Sequence, residues 1–207
     1  MSGARVSSHP VVKQKLTRLR AQDTGPAEFR ALVSDLALLV GVEATADVRV
    51  APITVETPLG PCEGSAVDAS ISLVPVLRAG LGMTEALSRL LPDADIRHLG
   101  YARNGETLQP EIYYAPAPPD PATDLALVLD PMLATGGSAC EAIRTVKSWG
   151  IGEIRFLGIL GAPEGVETLT SAHPDVMVHL CGLDERLNEK GYILPGLGDA
   201  GDRQFAT

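Results

Sequence analysis

Aromatic side chains are scarce, with Phe, Trp and Tyr together at 4% of 207 residues, so the core must be assembled mainly from Leu, Val, Ile and Ala. Cysteine is almost as rare. Cys62, Cys140 and Cys181 lie far apart and form no CxxC pair, which argues against a disulfide framework or a Cys-based zinc site. They are expected as small buried hydrophobes in a reducing compartment. No HExxH or Cys/His spacing supports zinc. Long apolar runs are missing too. The opening MSGARVSSHPVVKQKL does not read as a signal peptide, and the longest apolar run, 36–42, is interrupted by Gly41 and far too short to cross a membrane. A cytoplasmic protein with no membrane partner is expected. Positive charge is outnumbered, with 17 Lys and Arg against 26 Asp and Glu and a net charge of −9. That field disfavours nucleic acid as a partner. It leaves room for a small anionic substrate, which backbone N–H groups and a metal can hold whatever the overall charge.

The length suits one domain spanning 1–207, with 45% hydrophobic residues to fill a core. Residues 1–47 read as helical: Val12, Leu16 and Leu19 share a helical spacing, and Phe29, Leu32, Val33, Leu36, Leu39 and Val40 continue it after a Gly25-Pro26 break. Segments 48–57 and 62–68 read as two strands around a Pro58-Leu59-Gly60-Pro61 turn, a hairpin arm. From residue 70 short apolar strands (71–77, 96–101, 124–129, 154–160, 176–181) alternate with helical stretches. This alternation predicts an α/β fold with a mainly parallel sheet flanked by helices, its core within 70–182. Ligands of such sheets bind beyond the carboxyl ends of the strands. His98 and His179 read as structural histidines within strands, His9 and His173 as residues at helix boundaries before proline, and Trp149 as core.

Three segments carry chemistry. A buried strand ending at Asp130 leads through Pro131, Met132, Leu133 and Ala134 into Thr135-Gly136-Gly137-Ser138, and a helix follows to about Trp149. Thr135 to Ser138 alone also fit an ordinary N-cap after a glycine turn. In register with the strand, Asp130 and the helix, they make a phosphate cradle of turned backbone, hydroxyls and a helix N-terminus. Arg78, with Ala79 and Gly80 at the end of the first apolar strand, suits a diphosphate through bidentate hydrogen bonds, or is a surface arginine in a tight turn. Segment 191–203 holds four glycines and a proline in its first eleven residues. Its turned backbone can read a flat base at Ile193 and Gly198, with Asp199 deep in the loop; a glycine-rich C-terminal turn is the plain alternative. Asp202 and Arg203 are placed to form a local ion pair.

The sequence Asp-Pro-Met-Leu-Ala-Thr-Gly-Gly-Ser over 130–138 resembles the loop that binds 5-phosphoribosyl diphosphate (PRPP) in type I phosphoribosyltransferases. Pro131 stands where most of those enzymes have a second acid, and that departure is similar to the uracil phosphoribosyltransferases. The resemblance extends over nearly the whole chain and is closest in the C-terminal loop. It implies that PRPP lies on Arg78, Arg103 and residues 130–138, with Asp199 facing PRPP. It also implies that uracil lies on Ile193, Gly198, Asp199 and Ala200 within a base-binding region, 183–207, and that Mg²⁺ rides mainly on PRPP, touching Asp199 through water. Asp199, Arg103 and Asp130 are then the catalytic candidates, Arg103 sitting in the polar stretch 101–109 that would close over PRPP. A homo-oligomer is expected, and a GTP effector is admitted because the family includes GTP-activated members; no residue here locates its site. Four further shared segments (43–47, 162–165, 173–176 and 187–189) have no mechanism assigned from sequence.

Overall fold

The computed structural model describes residues 4–103 and 110–207. Among them are the strands β1 (Ala4–Val6), β2 (Val50–Thr57), β3 (Gly60–Val67), β4 (Ile71–Leu77), β5 (Asp95–Ile96), β6 (Leu99–Arg103), β7 (Pro110–Tyr114), β8 (Leu125–Leu129), β9 (Met132–Leu133), β10 (Glu153–Gly161), β11 (Met177–Leu183), β12 (Arg186–Leu187) and β13 (Ile193–Leu194). The helices are α1 (Pro10–Arg20), α2 (Pro26–Ala44), α3 (Leu81–Leu90), α4 (Gly137–Ser148), α5 (Pro163–Ala172) and α6 (Ala200–Phe205).

The main sheet runs β1-β11-β10-β8-β4-β6-β7, with β5 on β4 and β9 on β10; its pairs are parallel except β6 with β7. Period-two alternation of side chains builds a core on each face. In β8, Leu125, Leu127 and Leu129 join the cluster under α1, α2 and α3, while Ala126 and Val128 join the one under α4 and α5. In β4, Ile71 and Leu73 face the first cluster and Val74 and Val76 the second. A strand buried on both faces reads as a near-continuous apolar run, which is why β8, and β4 and β10 despite Ser72 and Arg155, were visible in sequence. Parallel crossovers bring the loops after β4, β8, β10 and β11 to one edge.

The helices start where the sequence punctuates them. Pro10 opens α1 behind the cap His9, whose Nδ1 accepts the Val11 N–H at 3.2 Å. Pro26 opens α2 after Gly25, and Gly150, at φ +81°, follows α4 and returns its N–H to the Lys147 carbonyl at 3.0 Å. Trp149 is core, as expected. The arm is β2 and β3 in antiparallel register; β3 begins at Gly60, so the turn is Pro58-Leu59 alone. Both faces of the arm are largely exposed, which places Cys62 in solvent rather than in the core; Cys140 and Cys181 are buried as expected.

Other expectations need correction. The helical N-terminal region is preceded by a strand, β1, which pairs with β11. The single strand expected at 96–101 is two, β5 and β6, with half-buried His98 in the link between them. His179 does lie in β11, where burial first, then Arg5, lower its pKa to about 4. No described helix is long and apolar enough to cross a membrane.

Candidate active site

The loop after β8 is stitched to its neighbour before it turns. The Pro131 carbonyl accepts from the Ile159 and Leu160 N–H groups at 3.1 and 2.9 Å, and β9 pairs with Leu160 and Gly161. Thr135 is then exposed, and Gly136, at φ +83°, is the N-cap of α4 with no side-chain cap bond. Left-handed backbone there favours glycine, and the uncapped first turn leaves helical N–H groups available to a ligand. The plain alternative, a Ser or Thr N-cap, does not hold, since Gly136 takes the cap position and Ser138 lies inside the helix. From below, Gly165 of α5 touches the loop: a Cβ there would lie 2.3 Å from the Ala134 oxygen and 2.6 Å from that of Leu133. A cavity of about 190 Å³ runs over residues 132–139, with Asp130 and Gly191 at its side.

Asp130 sits at the strand end, its Oδ1 accepting the Met132 N–H at 3.2 Å. Burial pushes its carboxyl up from 3.8 to about 7; the charge of Asp199 adds to the rise, and the Met132 N–H opposes it. The residue keeps some exposed surface where it borders the cavity, while the carboxyl itself is desolvated.

Arg78 follows β4 and is more than half exposed, with its guanidinium 3.6 Å from Asp202. The turn behind it demands glycine: a Cβ on Gly80 would lie 2.4 Å from the Leu129 oxygen and 2.8 Å from the Val76 nitrogen. That close passage of β4 against β8 sets the Arg78 loop beside Asp130.

The C-terminal loop leaves the β12–β13 hairpin, makes left-handed turns at Gly196 and Gly198, and ends in α6, a helix the sequence reading missed. Asp199 is exposed and caps α6, accepting the Asp202 N–H at 2.9 Å. Ile193 and Ala200 are buried. The expected Asp202–Arg203 ion pair does not form. Asp202 approaches Arg78, and Arg203 donates to backbone carbonyls of Leu19, Leu197 and Ala21 at 2.9, 2.8 and 2.7 Å and stacks over Phe29.

A second cavity of about 240 Å³ joins these parts: Asp130, Met132, Ile193, Gly198, Asp199 and Ala200 all line it. Asp130, Met132, Ala134 and Gly191 line both cavities, so one continuous cleft serves the loop after β8 and the C-terminal loop. Arg78 stands outside its lining but next to Ala79, which is part of it. Sequence reasoning missed Ala79, Gly191, Tyr192 and Gly201 as lining residues. The last three lie inside the segment singled out for its glycines, whereas Ala79 needed the β4–β8 pairing. Arg103 ends β6 by its backbone; its side chain and residues 104–109 lie outside the described residues. A larger groove, about 380 Å³, runs between the arm's base and the end of α3, away from these loops.

The segments without a mechanism hold the scaffold. Glu43 accepts from Ser7, and Asp47 pairs with Arg155 at 2.5 Å. Glu164 accepts the Leu187 N–H at 2.9 Å, tying α5 to β12. His173 meets the Cys140 carbonyl, and Asp175 pairs with Lys147, tying α5 to α4. Asn188 accepts the Lys190 and Tyr192 N–H groups, closing the β12–β13 turn.

The sheet order and crossing loops are those of a type I phosphoribosyltransferase. Solved structures share the fold at low identity: a purine phosphoribosyltransferase from Pyrococcus horikoshii (18% identity, TM-score 0.51, covering 74% of this chain and 83% of that one) and a hypoxanthine-guanine phosphoribosyltransferase from Bacillus anthracis (10%, 0.52, 77% and 80%). The AQ2163 protein of Aquifex aeolicus is far nearer, at 36% identity and TM-score 0.92 over 99% of this chain and 98% of its own. The family model described as uracil phosphoribosyltransferase matches residues 6–207. Proteins bearing that name are 52% identical in Roseiflexus castenholzii (98% of this chain, 97% of theirs) and 50% identical in Halalkalibacterium halodurans (100% of each). The chain belongs to the uracil phosphoribosyltransferase family.

Proposed function

We propose that this chain transfers the 5-phosphoribosyl group of PRPP to uracil, giving UMP and diphosphate, as a pyrimidine-salvage enzyme. The observation that carries the reading is the single cleft: Asp130 and Gly191 border both the cradle before α4 and the cavity against the C-terminal loop, so a phosphorylated sugar and a base would meet between them. The full-length likeness to proteins named for this activity supports it.

In this reading Thr135, Gly136, Gly137 and Ser138 hold the 5′-phosphate through backbone N–H groups and hydroxyls. Asp130 accepts from ribose hydroxyls, with Pro131 to Ala134 shaping the floor. Arg78 and Arg103 bind diphosphate, which requires Arg78 to exchange Asp202 for the ligand. Ile193 and Gly198 to Ala200 present backbone groups to the edges of uracil. Bond exchange at the anomeric carbon leaves positive character on the sugar and negative charge on the departing diphosphate, so positioning and electrostatics supply most of the rate.

The carboxylates on the cleft fit a Mg²⁺ carried by substrate oxygens. Asp130 and Asp199 border it, and no group of three or more His, Cys, Asp or Glu among the described residues is arranged to hold a metal. Mg²⁺ prefers oxygen ligands and retains waters; when bound it would neutralise charge on the diphosphate. Asp199 is the residue placed to contact its water.

The test is conversion of radiolabelled uracil to UMP by purified protein with PRPP, with and without Mg²⁺, with and without GTP, and with cytosine, hypoxanthine and adenine in parallel. Mg²⁺-dependent product from uracil alone is expected. Product from another base, or from none in any arm, would overturn the proposal.

A further inference from the structure

The base loop is gripped from outside the cleft by the corner where α1 meets α2. Asp184, just beyond β11 and with a side chain only 6% exposed, accepts the Gly196 N–H at 2.7 Å. The same carboxylate receives a two-pronged bond from Arg20, at 2.7 and 2.5 Å, and Arg20 also donates to the Gly196 carbonyl at 2.8 Å. Both polar groups of the Gly196 residue are therefore fixed. Gly196 is where the loop doubles back: its φ is +67°, and a Cβ would lie 2.1 Å from the Ile193 oxygen. A second grip begins at Arg203 of α6. Its guanidinium bridges the Leu197 carbonyl to those of Leu19 and Ala21, with the Thr24 carbonyl at 3.3 Å, while its central carbon lies over the Phe29 ring, 4.5 Å from the centroid. Leu19, Arg20, Ala21, Thr24 and Phe29 all belong to the α1–α2 hairpin, and none of them, nor Arg203 or Asp184, lines the cleft.

We propose that Arg20, Asp184 and Arg203 are positioning residues that set the geometry of the uracil-reading backbone from the α1–α2 corner, so that base affinity depends on residues that never touch the base. This rests on the assignment of residues 193–200 to uracil. Backbone readout makes such a brace necessary, since a peptide group has no rotamers with which to find its ligand. The grips fall at 196, 197 and 203, on either side of Gly198 to Ala200, where the loop crosses the cavity. The phosphate cradle is held separately, by β10 and by Gly165 of α5. Loosening the corner should therefore move uracil far more than PRPP, which meets the braced segment at Asp199 alone and there through water.

The experiment uses the full chain carrying Arg203→Met, Arg203→Lys, Arg20→Met and Arg20→Lys. Methionine keeps an apolar stem and removes every donor. Lysine keeps a donor and the charge but not the fork. Steady-state kinetics give both KM values and kcat, calorimetry gives the PRPP affinity of the free enzyme, and urea unfolding identifies which variants are folded. Misplacement of the reading groups should raise the KM for uracil by roughly tenfold or more in the methionine variants. PRPP affinity should stay within about twofold of wild type, and the lysine variants should recover part of the loss. Arg20 is a quarter exposed on its side chain, so its variants keep the question answerable if those at Arg203 do not fold. Folded variants with unchanged KM values, or with uracil and PRPP weakened alike, would overturn the proposal. Wild-type protein is assayed alongside: uracil turnover there with unmoved variants sinks only the brace, whereas no uracil turnover in wild type sinks the base assignment and the brace with it.

Discussion

Replacing Asp130 by asparagine should make the protein more stable at pH 8 while crippling its use of PRPP. The carboxyl lies at the end of β8, and burial raises its pKa from 3.8 to about 7. Between those two values the unfolded chain has released the proton and the native chain retains it. Native stability therefore falls as pH rises through that window and levels off above about 7. At about 1.4 kcal/mol per pKa unit the whole displacement corresponds to roughly 4 kcal/mol, and the edge of the residue open to the cleft reduces this to about 1–2 kcal/mol. Asparagine has the same shape, can keep the Met132 N–H bond through its oxygen, and carries no charge to desolvate. Urea unfolding of both proteins from pH 5 to pH 8 should show Asp130→Asn gaining on wild type as pH rises, reaching about 1–2 kcal/mol at the top. In turnover, a neutral acceptor facing ribose hydroxyls is weaker than a carboxylate, for a loss of about 10- to 100-fold in kcat/KM for PRPP. A stability difference that is flat with pH, or a variant less stable at pH 8, would refute the desolvation argument; intact PRPP kinetics would refute the ribose assignment.

Because sugar hydroxyls would favour the ionised form of Asp130, PRPP affinity should weaken below pH 7, approaching about tenfold per pH unit. Calorimetry from pH 5.5 to 8 would measure it, and Asp130→Asn should lose that component of the slope. Gly165→Ala, which in an ordinary helix interior would gain up to about 1 kcal/mol, should instead lose about 1–3 kcal/mol, because the new Cβ meets the Ala134 and Leu133 carbonyls. Its KM for PRPP should rise, and a raised urea midpoint would contradict the packing described. Asp199→Asn retains an N-cap acceptor for the Asp202 N–H, so unfolding should stay within about 0.5 kcal/mol of wild type while kcat falls. Wild-type turnover in that variant would remove Asp199 from the reaction.

Much of this was readable in sequence because it is local there. The strands β4, β8 and β10 are largely apolar runs, α4 follows its glycines directly, and the two loops that form the cleft are contiguous segments, 130–138 and 191–203. What escaped is what only tertiary structure defines. The strand β1 has three residues and exists by pairing with β11. The helix α6 has six, including a glycine, and is fixed by the Asp199 cap and by anchors at Arg203 and Gln204. Arg203 looked like the neighbour of Asp202, yet it binds carbonyls, one nearby at Leu197 and others nearly the whole chain away at Leu19 and Ala21. Cys62 looked like core because free cysteines usually are, but the arm that carries it is exposed on both faces.

The α1–α2 hairpin and α6 are also bound to each other in time. The strand β1 needs β11 as its template, and the α1–α2 corner is closed by Arg203 of α6. On a ribosome, which delivers residues in order, the N-terminal hairpin can pack on α3 early, but its corner is clasped only after α6 has emerged. Until α6 is made the α1–α2 corner lacks the Arg203 clasp, so the hairpin can be packed in place well before its corner is fixed.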